Sequence, residues 1–159
     1  MLKLSHNSLI QLSGVLWLAI GSLLLFLGVN FLTQAFENPS GNHPLFNALA
    51  PYMGDREIVA VILLVVALFI GFFKGKLALG RSAARVTARI RSLPNPAPLS
   101  QAYSKGYCLL IAFMICLGIS LKYLGLPNDV RGLIDIAIGA ALINGGKVYF
   151  RLAQQPKAT

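Results

Sequence analysis

The chain has 159 residues, of which 56% are apolar and only 12% charged, with a mean hydropathy of +0.69 and a formal net charge of +9. A soluble domain carries about twice that charged fraction, so the composition excludes an ordinary water-soluble domain, and the length leaves no room for a separate soluble enzyme module. Nor does the positive charge point to nucleic acid, because the basic residues sit in short gaps between apolar runs and not over one solvated face.

The first element is an uncharged apolar run from Leu12 to Phe36, which predicts a transmembrane helix over 12–36. A bilayer core of about 30 Å takes about 20 helical residues. The run exceeds the ~7–15 residues of a signal-peptide core, so a retained span is expected. Gly14, Gly21 and Gly28 recur along it every seven residues. The loop from Glu37 to Asp55 opens with turn formers and continues as "PLFNALAPYM", an apolar piece expected to dip into the interface as a lid, with His43 beside it in solvent. A second span is predicted over 57–75. Its apolar run, Ile58 to Phe73, is short, and the aliphatic stems of Arg56, Glu57 and Lys74 extend it to the interface.

Residues 76–100 are predicted as a basic amphipathic helix ended by "PNPAP". At about 100° per residue, Lys74, Arg81, Arg85 and Arg89 share one arc, while Leu79, Ala83, Val86, Ile90 and Leu93 share the opposite one. Such a helix is expected to lie on the membrane with its Arg stripe, Arg91 included, near lipid phosphates or an acidic partner. The third span is predicted over 105–126, with the small residues Cys108, Ala112, Cys116 and Ser120 every four positions, and the fourth over 131–150, with Ala137, Ala141 and Gly145 similarly spaced. Ala67, Gly71 and Gly75 form a matching stripe in the second. Small residues at this spacing let helix backbones approach in lipid, and they suggest a homo-oligomer or a partner membrane protein.

Eleven basic residues and no acid fall on the side of the two termini and the central loop, against three basic residues and all five acids on the other side. The positive-inside bias places both termini in the cytoplasm, and a bacterial inner membrane fits best. Arg56, Gly71 and Lys76 match Arg131, Gly146 and Arg151 at one constant offset, which suggests an internal repeat. The fold expected is an all-α integral membrane protein of four transmembrane helices, arranged as two tandem hairpins of the same orientation with the cytoplasmic amphipathic helix between them.

Catalytic motifs are absent: there is no nucleophile elbow, P-loop, HExxH or GxGxxG. No enzyme activity, metal or cofactor is expected. The polar residues within the spans carry more information. Asp135 lies about one turn inside the fourth span and Lys122 about one turn before the end of the third; Asn30 and Glu57 lie at comparable depth, so these four are expected to converge under the outer rim. An ionisable group in the membrane is costly and is paired or borders a water pathway. A Lys122–Asp135 pair is either a structural lock or a switchable proton or cation site. Asn144 is expected to bond between helices. Two functions follow: a transporter or channel subunit for a proton or small solute that uses this outer cluster, or a non-catalytic scaffold or regulatory subunit that binds a partner complex or anionic phospholipid through Lys74, Arg81, Arg85, Arg89 and Arg91.

Overall fold

The computed structural model describes residues 3–98 and 105–155. Its long elements are all helical. α1 runs from His6 to Glu37, α2 from Pro44 to Met53, α3 from Arg56 to Ser92, α4 from Lys105 to Tyr123 and α5 from Asn128 to Gln154. A two-residue antiparallel ladder pairs Lys3 with Pro98 and Leu4 with Ala97. Among the described residues, α1, α3 and α5 are long and apolar enough to cross a membrane.

α1 starts six residues before the predicted span. Ser5 caps it, accepting from the Ser8 amide at 3.3 Å, and its 32 residues extend about 48 Å. The apolar piece of the first loop forms α2, which begins at a proline and closes at Gly54, where φ is +82°. Gly125, at φ +59°, turns α4 into α5. The residues at both turns adopt a left-handed backbone that favours glycine.

α5 is the central helix. Gly14, Gly21 and Gly28 of α1 lie against Gly146, Gly139 and Gly132 of α5, so the two helices run antiparallel in backbone contact. On another face of α5, Gly71 and Gly75 of α3 meet Ala137, Ala140 and Ala141, and Leu79 meets Gly145, so α3 runs parallel to α5. The glycines and alanines of α5 thus leave it slim enough to be gripped on two sides. Contacts at such close range gain dispersion energy, which is what holds helices together where burial from water does not.

The amphipathic segment is not a separate surface helix. α3 continues unbroken for 37 residues, about 55 Å, through the predicted second span and the basic segment alike. No proline interrupts it before Pro94, and a single glycine weakens a helix without breaking it. Val59, Leu63, Ala67, Ala83 and Ile90 are buried along one side, in register with Gly71 and Gly75. The apolar arc expected to face lipid instead packs on protein: Ala83 and Ile90 join Leu9, Ile10, Trp17, Leu142, Tyr149 and Ala153 in one core cluster, with Leu79, Val86 and Leu93 around it. A second cluster, Leu32, Ala35, Phe46, Val59, Leu63, Ala67 and Ile136, fills the other end of the bundle, beneath α2.

α4 is peripheral. Its Ile111 packs against the first cluster, whereas Cys108, Ala112, Cys116 and Ser120 are all exposed, so this small-residue stripe makes no helix seam within the chain. The two connections also differ, the first holding α2 and the second only residues 124–127.

Candidate functional site

The bundle has two polar ends. At the end of α2 and the α4–α5 turn, Asp135 is buried and faces Arg131 of its own helix, with Nε and Oδ2 3.8 Å apart. The Arg131 guanidinium lies over the Phe31 ring at 4.1 Å from its centroid, which ties the pair to α1. A cation over an aromatic face is attracted by the ring quadrupole, so Arg131 links α5 to α1 while holding the Asp135 charge. Among the described residues the ion pair of Asp135 is with Arg131; the expected partner, Lys122, has a side chain outside the described residues. Asn30 and Glu57 are exposed and form no hydrogen bond or ion pair with Asp135. The expected four-residue convergence reduces, among the described residues, to one carboxylate locked within its own helix. Asn144 likewise turns inward on its helix, donating from Nδ2 to the Ala140 carbonyl at 3.1 Å.

Asp129 has a role that the sequence reading missed. It is fully buried, and its Oδ2 accepts from the amides of Leu45 at 2.7 Å and Phe46 at 3.3 Å. These are first-turn donors of α2, which lack an intrahelical partner. The residue before α2, His43, provides no side-chain cap, so a carboxylate from α5 does this across the fold. His43 itself is buried, 5% exposed, and not in solvent as expected. The signal available in the sequence was an Asp in the first turn of α5 opposite a loop helix with no capping residue of its own. Arg56 holds the same end together, donating from Nη2 to the Ala35 carbonyl at 2.9 Å with its guanidinium 4.9 Å from the Phe46 ring.

The other end carries the start of α1, the end of α5 and most of the described basic residues. Lys74, Arg81, Arg85 and Arg89 are exposed along α3, and Lys147 and Arg151 are exposed on α5. Arg91 differs from the rest of the stripe. It is half-buried and its Nη2 donates to the carbonyls of Leu152 at 2.5 Å and Gln155 at 2.9 Å, capping the last turn of α5. A cation there also meets the negative end of the helix dipole. Beside it a cavity of about 360 Å³ opens among Ser5, His6, Asn7, Arg91 and Asn95.

Among the described residues no group of three or more His, Cys, Asp or Glu side chains gathers that would hold a metal. No known protein family, curated protein or solved structure matches the chain.

Proposed function

We propose that the chain is a four-span protein of a bacterial inner membrane with both termini in the cytoplasm, and that it serves as a non-catalytic scaffold or regulatory subunit docking an acidic protein surface on its basic end. The observation that carries this reading is the continuity of α3 together with the burial of its apolar arc in the bundle. A basic helix held on lipid by its apolar side would spend its Arg stripe on headgroups. Here the apolar side is occupied by α1 and α5, and the stripe projects from a rigid rod.

Height supports the choice of partner. With Lys74 at the edge of the hydrocarbon, Arg85 lies about 16 Å and Arg89 about 22 Å further along the helix axis. The headgroup layer is only about 5–8 Å deep per leaflet. Arg85 and Arg89 therefore stand beyond lipid phosphates, where an acidic protein surface reaches them. The exposed apolar residues Val15 and Leu16 lie at about the level of Leu79, since Gly14 faces Gly146 and Leu79 meets the adjacent Gly145.

The test is a photo-crosslinking amino acid placed at the exposed positions Ala84 or Ala88 in cells. A discrete protein adduct that weakens when Arg81, Arg85 and Arg89 are changed to Gln is expected. Adducts to lipid alone, or an adduct indifferent to those changes, would end this reading.

A second reading rests on Asp135, an ionisable side chain buried within an apolar helix, and makes the protein a proton or small-solute transporter. Its test is flux in proteoliposomes, wild type beside Asp135→Asn, with loss of a wild-type flux in the variant as the supporting result.

A further inference from the structure

One basic residue of α3 stands apart from the stripe. At about 100° per residue, Lys74, Arg81 and Arg85 share one arc, whereas Lys76 falls with Phe69, Phe72 and Phe73, which precede it by seven, four and three positions. All four side chains are exposed. The rings form one cluster, with centroids 4.4 Å apart for Phe69 and Phe73 and 5.9 Å apart for Phe72 and Phe73. One turn further along the same face is Gly80, where an added Cβ would meet nothing within 4 Å. Lys76 thus stands between an aromatic surface and an open notch.

Its height is as informative as its face. Gly75 lies against Ala141 and Leu79 against Gly145, so Lys76 is level with about Leu142 of α5. The exposed cation of α5, Lys147, comes five residues later, about 7 Å nearer the basic end. On α1 the exposed apolar residues Val15 and Leu16 also lie beyond Lys76 toward that end, since Gly14 faces Gly146. Lys76 is therefore a cation set inside the edge that α1 and α5 mark. Cα–Cβ bonds tilt toward the N-terminus of a helix, which in α3 points away from the basic end, so the Lys76 side chain sets out toward the phenylalanines. A charge within the apolar band is costly and is normally paired. Among the described residues Lys76 forms no ion pair.

We propose that this face of α3 binds an anionic phospholipid of the cytoplasmic leaflet, with the phosphate at Lys76 and the acyl chains along Phe72, Phe73 and Phe69. The lipid supplies both halves of what the face presents, an anion for the cation and hydrocarbon for the rings. Gly80 leaves room for a headgroup drawn below the height of its neighbours, and the leaflet dips there to meet it, a modest cost per ångström of mismatch. The inference rests on the membrane reading proposed above. It is separate from the docking of an acidic protein, because Lys74, Arg81 and Arg85 lie on another arc.

The experiment reconstitutes the full chain into phosphatidylcholine vesicles doped with phosphatidylglycerol that carries a photoreactive diazirine on an acyl chain. Parallel vesicles carry the same diazirine on phosphatidylcholine, and adducts are mapped by peptide mass spectrometry. Residues 69–73 should be labelled about fivefold more by the phosphatidylglycerol probe, the factor that one cation near an anionic headgroup supplies. Labelling around the exposed Phe26 of α1 should be equal for the two probes. Lys76→Gln should abolish the preference at 69–73, while Lys74→Gln should keep most of it. Equal labelling of 69–73 by the two probes, or a preference that survives Lys76→Gln, overturns the proposal. Labelling at Phe26 with none at 69–73 also overturns it, since the face is then covered by protein. Absence of adducts on both helices overturns the membrane reading itself, and this proposal with it.

Discussion

The glycine seam between α1 and α5 allows a sharp test, because two glycines in the same chain stand in opposite surroundings. A Cβ built on Gly139 falls 2.7 Å from the Gly21 carbonyl oxygen and 2.7 Å from the Leu25 nitrogen, against an ordinary contact of 3.4 Å or more, so α1 must move by about 0.7 Å. Both obstacles are backbone atoms of a helix, and α1 is held above and below by Gly14 on Gly146 and Gly28 on Gly132. A gap of this size forfeits about a quarter to a half of each dispersion contact along the seam, and overpacking of this kind costs about 1–3 kcal/mol. A Cβ on Gly80 of α3 meets nothing within 4 Å. Gly80→Ala should therefore gain the helix propensity difference of about 1 kcal/mol. That gain is common to both variants, so the difference between Gly139→Ala and Gly80→Ala isolates the packing term. Unfolding in a graded denaturing-detergent series, followed by fluorescence of the single, buried Trp17, should place Gly139→Ala about 1–3 kcal/mol below Gly80→Ala. Equal stability, or a more stable Gly139→Ala, would refute the close antiparallel seam.

Three further outcomes are expected. Asp129→Ala removes the acceptor for the Leu45 and Phe46 amides, and loss of a cap costs about 0.5–2 kcal/mol; hydrogen exchange across 44–53 should accelerate while the glycine seam keeps its protection, and unchanged exchange in α2 would remove the capping role. Arg131→Leu strands the buried Asp135 carboxylate, a loss of about 3–5 kcal/mol, whereas Arg131→Leu with Asp135→Leu should recover most of it in the same unfolding assay. Changing Arg81, Arg85 and Arg89 together to Gln should leave the unfolding midpoint nearly unchanged, because exposed positions contribute little to stability; a large drop would mean the stripe is structural.

The spans were legible because hydropathy needs no tertiary information. The uncharged run after Leu12, the run before Phe73 and the run before Phe150 all fall inside long helices, α1, α3 and α5. The seam was half legible. Gly14, Gly21 and Gly28 stood out by their period, and Gly132, Gly139 and Gly146 carry the same period in α5. Only the fold pairs the two sets, because a sevenfold spacing says that a face is narrow but not what lies against it.

The site was the least legible. Asp135 stood out as an ionisable group within a span, and the structure gives it an ion pair four residues before it in the same helix, with Arg131, while the Lys122 side chain lies outside the described residues. Arg131 lies one helical turn before Asp135, and a reading by depth alone did not bring it up as a partner. Asp129 was passed over because an acid near a helix end is ordinary by pattern. Its burial, and the loop amides beside it, exist only once distant segments meet.

Composition and periodicity thus determined on their own that the chain is helical, that it is built for a membrane, and where its charge is concentrated, since each follows from the preference of local segments for lipid or water. The tertiary structure decided that the basic segment continues α3 and packs its apolar arc on protein. The apolar arc of that segment was visible in the sequence, but an apolar arc is indifferent between lipid and protein. Its burial against α1 and α5 depended on those helices extending alongside it at the same end.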